Sequence, residues 1–179
     1  MAKHPSVNRV KVTDVIQHYG ATFFKAALAR FVVQLKQPNL TGTQLNDAAS
    51  GLFLGVSHVS AYHRINLPAR ISMGIAFLVV STLPLYMYPT LSMWDHWTLL
   101  ESTDTQVAQV RIVFTLSNKA SEHLFQGVPT QDRPCVLAYI EWFTPFTVAQ
   151  DPNHGLYKVS RSTVEGGRLA SIIDVRRIL

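Results

Sequence analysis

The chain reads as an α+β protein: an N-terminal helical unit followed by a small antiparallel β-sheet or barrel. Apolar residues recur at three- and four-residue spacing through residues 12–37, the pattern of a helix with one buried stripe. From residue 107 onward, short β-branched and aromatic runs alternate with turn formers, as in a strand meander or small barrel. Gly127-Val128-Pro129, Asp151-Pro152-Asn153 and Gly166-Gly167 punctuate those runs.

In the helical stretch Phe23, Phe24, Ala27, Leu28, Phe31, Val32 and Leu35 share the stripe, while Lys25, Arg30 and Lys36 fall largely off it. Gly20 separates a short first turn, 12–19, from the main helix, and Pro38 stops it. Thr41-Gly42-Thr43-Gln44 has the spacing of a capping box and predicts a short helix over 43–50, ended by Gly51. Residues 56–67 change period. Ser57, Val59, Ala61, His63, Ile65 and Leu67 form the more apolar alternate set, which predicts a strand with one buried face. Further strands are expected over 107–116, 136–144, 155–163 and 170–178. In the first of these, Val110, Ile112 and Phe114 should share one face and Arg111 the other.

The length, 179 residues, is about one domain and enough for a hydrophobic core. Charged residues make up 15%, well below the ~25% of an average soluble domain. Sixteen Lys and Arg against eleven Asp and Glu give a net charge of +5, which permits attraction to nucleic acid or anionic lipid. Cys135 is the single cysteine. It excludes an internal disulfide and a Cys-based zinc site, and fits a reducing compartment. No apolar run follows the N-terminal residues, so no secretory signal is expected.

Charge is uneven along the chain. Residues 1–40 hold six Lys and Arg against Asp14, whereas 71–106 hold none against Asp95, Glu101 and Asp104. Residues 71–93 are wholly uncharged and long enough to span a bilayer, which needs about 20 mainly apolar residues. Pro84, Pro89 and several Ser and Thr dilute that run. The chain therefore divides into a helical unit with a first strand at 10–68, an atypical apolar insert at 69–106, and an antiparallel β module at 107–179.

Two stretches carry a family resemblance. Residues 138–146, with Tyr139, Glu141, Trp142 and Phe143, and residues 154–162, with His154, Tyr157, Lys158, Ser160 and Arg161, resemble the signature of a fungal domain of unknown function. That domain lies carboxy-terminal to the transposase in Plavaka-type elements of the CACTA superfamily. Residues 107–114 resemble its preceding strand. His18-Tyr19-Gly20-Ala21, Ala29-Arg30-Phe31, Pro38-Asn39-Leu40 and Tyr62-His63-Arg64-Ile65 resemble its amino-terminal half. The resemblance covers about 10–68 and 107–178 and implies no assigned chemistry, since the transposase core is a separate upstream domain. This chain departs from the family at the insert, where a polar stretch rich in Asp, Arg and Gly is usual. Back-translated with permissive codons, residues 81–100 can be reread one frame over as a family-like segment, which points to a shifted reading frame or an intron. It departs again at Arg176-Arg177-Ile178-Leu179, where the family continues into another strand, so the sheet is expected to lack one edge.

Candidate chemistry is sparse. Glu141, Asp151 and His154 lie close in sequence and could bind a metal or move protons, but their spacing matches no ligand motif. Glu141 is expected to face solvent from its strand. A transposase acidic triad has no suitable context here. His58 and His63 should point to opposite faces of a strand, and Cys135 has no local base to activate it. No cofactor or metal site is expected. Lys158, Arg161, Arg168, Arg176 and Arg177, with Tyr139, Trp142 and Tyr157 nearby, are the candidate surface for phosphates and bases. The leading reading is a non-catalytic, transposon-derived accessory module or relic that contacts nucleic acid or protein, a transposase domain included. Such a protein would be intracellular, and nuclear if the transposon link is meaningful. A single-span membrane protein through 71–93 and a hydrolase using Glu141 and His154 are the alternatives.

Overall fold

Strand β1 (Val7–Lys11) leads into helix α1 (Val12–His18), and α2 (Phe24–Lys36) and α3 (Gly42–Ser50) follow. The computed structural model describes residues 4–63, 77–81, 105–145, 152–153, 158–164 and 166–177. The remaining elements are β2 (His58–Tyr62), β3 (Phe77–Ser81), β4 (Thr105–Thr115), α4 (Asn118–Leu124), β5 (Leu137–Trp142), β6 (Thr163–Val164), β7 (Gly167–Arg168) and β8 (Ala170–Asp174). Short 3-10 turns sit at Thr130–Asp132 and Val175–Arg177.

Among the described residues the main sheet runs β1-β2-β4-β5-β8, with β3 also paired to β4, and every pairing is antiparallel. The α+β class holds. The sheet is open, however, with β1 and β8 at its two ends, so the barrel form of the expectation is corrected. Closure would require those edges to pair; here helices cover one face instead.

That covering makes the core. Val12 and Val15 of α1, Phe24, Leu28 and Val32 of α2, and Leu124 and Phe125 at the end of α4 pack on Ile112, Phe114, Leu137, Tyr139 and Ile172. Phe24 sits 5.0 Å from Phe114 and 6.1 Å from Tyr139, ring centre to ring centre, both tilted. Such offsets suit the ring quadrupoles. The helical stripe read from the sequence is the stripe buried here, and α3 rests on its flank through Ala29, Val33 and Ala49. Residues from the helical unit and from the β module thus share one core. The other sheet face holds a second cluster around Ala108, Val113, Ala138 and Ile140.

Several local expectations are revised. Thr41 stands at the start of α3, but its side chain makes no capping bond; the Leu45 N–H reaches the Thr41 carbonyl instead. Strand β2 buries Val59 and Ala61, as the alternation predicts. The strand expected over 155–163 is reduced to β6 and a single bridge between Phe143 and Arg161, with 154–157 outside the described residues. Strand β8 stops at Asp174, where the chain turns into the 3-10 segment. Of the apolar insert only Phe77–Ser81 and residues 105–106 are described, and they form strand. No helix among the described residues is long and apolar enough to cross a membrane.

The largest revision is in β4. Val110 pairs with Ile140 but Ile112 pairs with Tyr139, so Arg111 is an extra residue on its strand. This bulge breaks the alternation. Ile112 and Phe114 enter the helix-side core, Val110 packs in the opposite cluster, and Arg111 is free to turn toward the helix side.

Candidate functional site

Strand β5 alternates, with Leu137 and Tyr139 in the helix-side core and Ala138 and Ile140 opposite. By that parity Glu141 faces the helices at the end of the strand, and it is 1% exposed. The expectation of a solvent-facing carboxylate is overturned. A buried carboxylate must be hydrogen-bonded or paired, and Glu141 is heavily so.

Three arginines converge on its Oε2. Arg111 donates from Nε at 3.0 Å and from Nη2 at 2.9 Å. Arg161 donates from Nη1 at 2.7 Å, and Arg168 from Nη1 at 3.1 Å. Among the described residues the other oxygen, Oε1, receives only a long 3.4 Å contact from Arg168. Nitrogens that each lie about 3 Å from one oxygen are at most about 6 Å apart. At that separation each pair of guanidiniums repels by roughly 1 to 3 kcal/mol, depending on the local dielectric. One carboxylate offsets one of the three charges, leaving a local surplus of two positive charges among the described residues.

Each arginine is placed by a different local device. Arg111 is turned inward by the β4 bulge and lies beside Gly20, whose φ of +68° breaks the chain between α1 and α2. Arg161 stands on the segment that bridges Phe143, with its guanidinium 5.5 Å from that ring's centre, within cation–π range. Arg168 belongs to β7 of the two-stranded hairpin. The hairpin is stitched to the sheet by Ser162 N–H to the Trp142 carbonyl, Trp142 N–H to the Leu169 carbonyl, and Thr144 N–H to the Ser160 carbonyl. Gly167 lets it sit under α2, because a Cβ there would come within 2.8 Å of the Phe23 ring.

Tyr139 supports the same region from below. Its hydroxyl accepts the Phe23 N–H at 3.3 Å, satisfying a donor at the start of α2. Burial raises the Tyr139 pKa above the ordinary phenol value, partly opposed by that hydrogen bond. Arg30 of α2 donates to the Ala170 carbonyl, whose residue pairs with Glu141 across the strands. Gln109 also lies directly across from Glu141, and its buried amide oxygen finds no donor among the described residues.

The five basic residues read from the sequence therefore do not form one cluster. Arg161 and Arg168 meet at Glu141. Arg176 pairs with Asp174, which stands opposite Leu137, four residues and about 13 Å back along β5. Lys158 is exposed, and Arg177 closes the last 3-10 turn. Arg111, missed as a site residue, completes the group; no local signal marks it, because its direction depends on the bulge. Of the family-signature residues, Trp142 donates from its indole to Ser171 Oγ, and Ser160 N–H donates to Thr144 Oγ1. His154, Tyr157 and Asp151 lie outside the described residues, and so does the proposed Glu141–His154 pair.

Elsewhere, His58 shares a hydrogen bond with Ser57 and His63 shares one with the Tyr19 hydroxyl, so the two imidazoles serve different neighbours. Cys135 is exposed, with its sulfur 3.9 Å from the Arg133 carbonyl. Among the described residues no three His, Cys, Asp or Glu are grouped to hold a metal ion. No family model, curated protein or solved structure matches the chain.

Proposed function

We propose that this chain is a non-catalytic accessory module, of transposon origin as the resemblance implies, that contacts nucleic acid through its C-terminal sheet end. The observation that carries the reading is the surplus of two positive charges where, among the described residues, Arg111, Arg161 and Arg168 meet a single buried carboxylate. Arg161 and Arg168 keep 37% and 43% of their side-chain surface exposed, so the surplus is presented to solvent. Phe143 offers an aromatic neighbour of the kind that accompanies phosphate contacts. The overall charge of +5 adds long-range attraction to a polyanion.

Fluorescence anisotropy of labelled single-stranded and duplex oligonucleotides, titrated at several salt concentrations, tests this. Binding should weaken with salt, and Arg161→Ala/Arg168→Ala should lower the log–log salt slope by roughly 1.5 to 2, the change expected for two lost phosphate contacts. No binding even at low salt would remove the reading.

A further inference from the structure

We infer that Arg111, Arg161 and Arg168 form a seat for one phosphate group, with Glu141 as the positioning residue beneath it. This rests on the polyanion reading above and narrows it from a charged surface to a discrete site for one chemical group. Three features carry it. First, the donors are pinned: a single oxygen of a 1%-exposed carboxylate holds all three guanidiniums within 3.1 Å. Second, donors remain. Arg161 and Arg168 each use only Nη1 on Glu141, and their Nε and Nη2 make no hydrogen bond among the described residues. A guanidinium fork matches phosphate oxygens in pairs. Third, the charge fits. Among the described residues the surplus of two positive charges matches in size the double negative charge that a phosphate monoester approaches above its second pKa of about 6. The phosphate could be a free or terminal group, or one belonging to a nucleic-acid backbone.

The test uses the full chain. Inorganic phosphate is titrated by calorimetry, and 5′-phosphorylated and unphosphorylated oligonucleotides of one sequence are compared by anisotropy. The wild type should bind phosphate saturably at one site. Preference for the phosphorylated oligonucleotide identifies a terminal group as the source, and equal binding identifies the backbone. Arg161→Lys/Arg168→Lys keeps both charges but removes the forks, and should weaken phosphate binding at least tenfold, whereas Arg176→Lys should leave it unchanged. Glu141→Gln adds a net positive charge yet should also weaken it, because the guanidiniums lose their common anchor. A diffuse basic patch would instead bind more tightly. Should Glu141→Gln fail to fold, the lysine pair decides.

Wild-type affinity in the lysine pair, or oligonucleotide binding without phosphate binding, would overturn the seat while leaving the broader reading standing. Failure of the wild type to bind either ligand at low salt would overturn both.

Discussion

Among the described residues Glu141 and Asp174 are the two buried acidic residues of the sheet, at opposite ends of adjacent strands and on the same helix-facing side. Asp174 is served by one arginine two residues along its own chain. Arg176 donates to both of its oxygens, and its backbone N–H adds another bond. The same guanidinium also reaches the carbonyls of Gln131 and Arg133, tying down the loop before β5. Most of its remaining donors are spent on the protein, and the hydrogen bonds it donates to Asp174 hold its pKa above the ordinary guanidinium value. Glu141 is served by three arginines from three separate segments, two of which are more than a third exposed and keep donors with no hydrogen bond among the described residues. The difference separates two uses of an ion pair. One partner per carboxylate closes a loop; three partners per carboxylate leave charge for something else.

Breaking each centre in turn sharpens the contrast. Glu141→Gln should cost about 2 to 4 kcal/mol in a urea unfolding experiment, because three guanidiniums lose their shared counter-ion. The lower half of that range is favoured by the partial exposure of the arginines, which can turn to water. Asp174→Asn should cost less, about 1 to 2 kcal/mol, and should leave oligonucleotide binding unchanged. The reverse order would break the comparison.

Tyr139 supplies a smaller effect with a pH signature. Its folded pKa is raised by burial above the reference value of 10.0, so the folded state holds the phenol proton more firmly. That contribution is intact below pH 10 and is lost as pH rises through the folded value. Tyr139→Phe should therefore lower stability by about 1 kcal/mol at neutral pH, through the orphaned Phe23 N–H, and soften the alkaline fall in a pH series of melts. The smallest change in stability belongs to Arg161→Lys/Arg168→Lys, under about 1 kcal/mol, since the pairs are partly exposed.

The parts legible in the sequence are those whose signals are local. The stripe from Phe23 to Leu35, the break at Gly20 and the alternation around Val59 and Ala61 all depend on neighbours in the chain, and all appear as read. Helix α4 also carried a local signal that went unread: Ser117 accepts the Ala120 N–H as an N-cap. Strand β1 had none, because it is almost wholly exposed and lacks an apolar alternation. The candidate site was legible only in part. Arg161 and Arg168 were singled out by composition, but Arg111 was placed on the wrong face, since a bulge is a mismatch between two strands and one strand cannot reveal it. Glu141 is illegible for a different reason: its partners lie 20 to 30 residues away and only the sheet brings them in.

The most direct test compares the two ends in one experiment. Arginine Nε–Hε signals of the labelled wild-type chain are followed by NMR as inorganic phosphate is added at constant ionic strength. The account predicts saturable shifts at Arg161 and Arg168, with Arg111 following and Arg176 still. Equal shifts at Arg161, Arg168 and Arg176, or none at any of them, would contradict it.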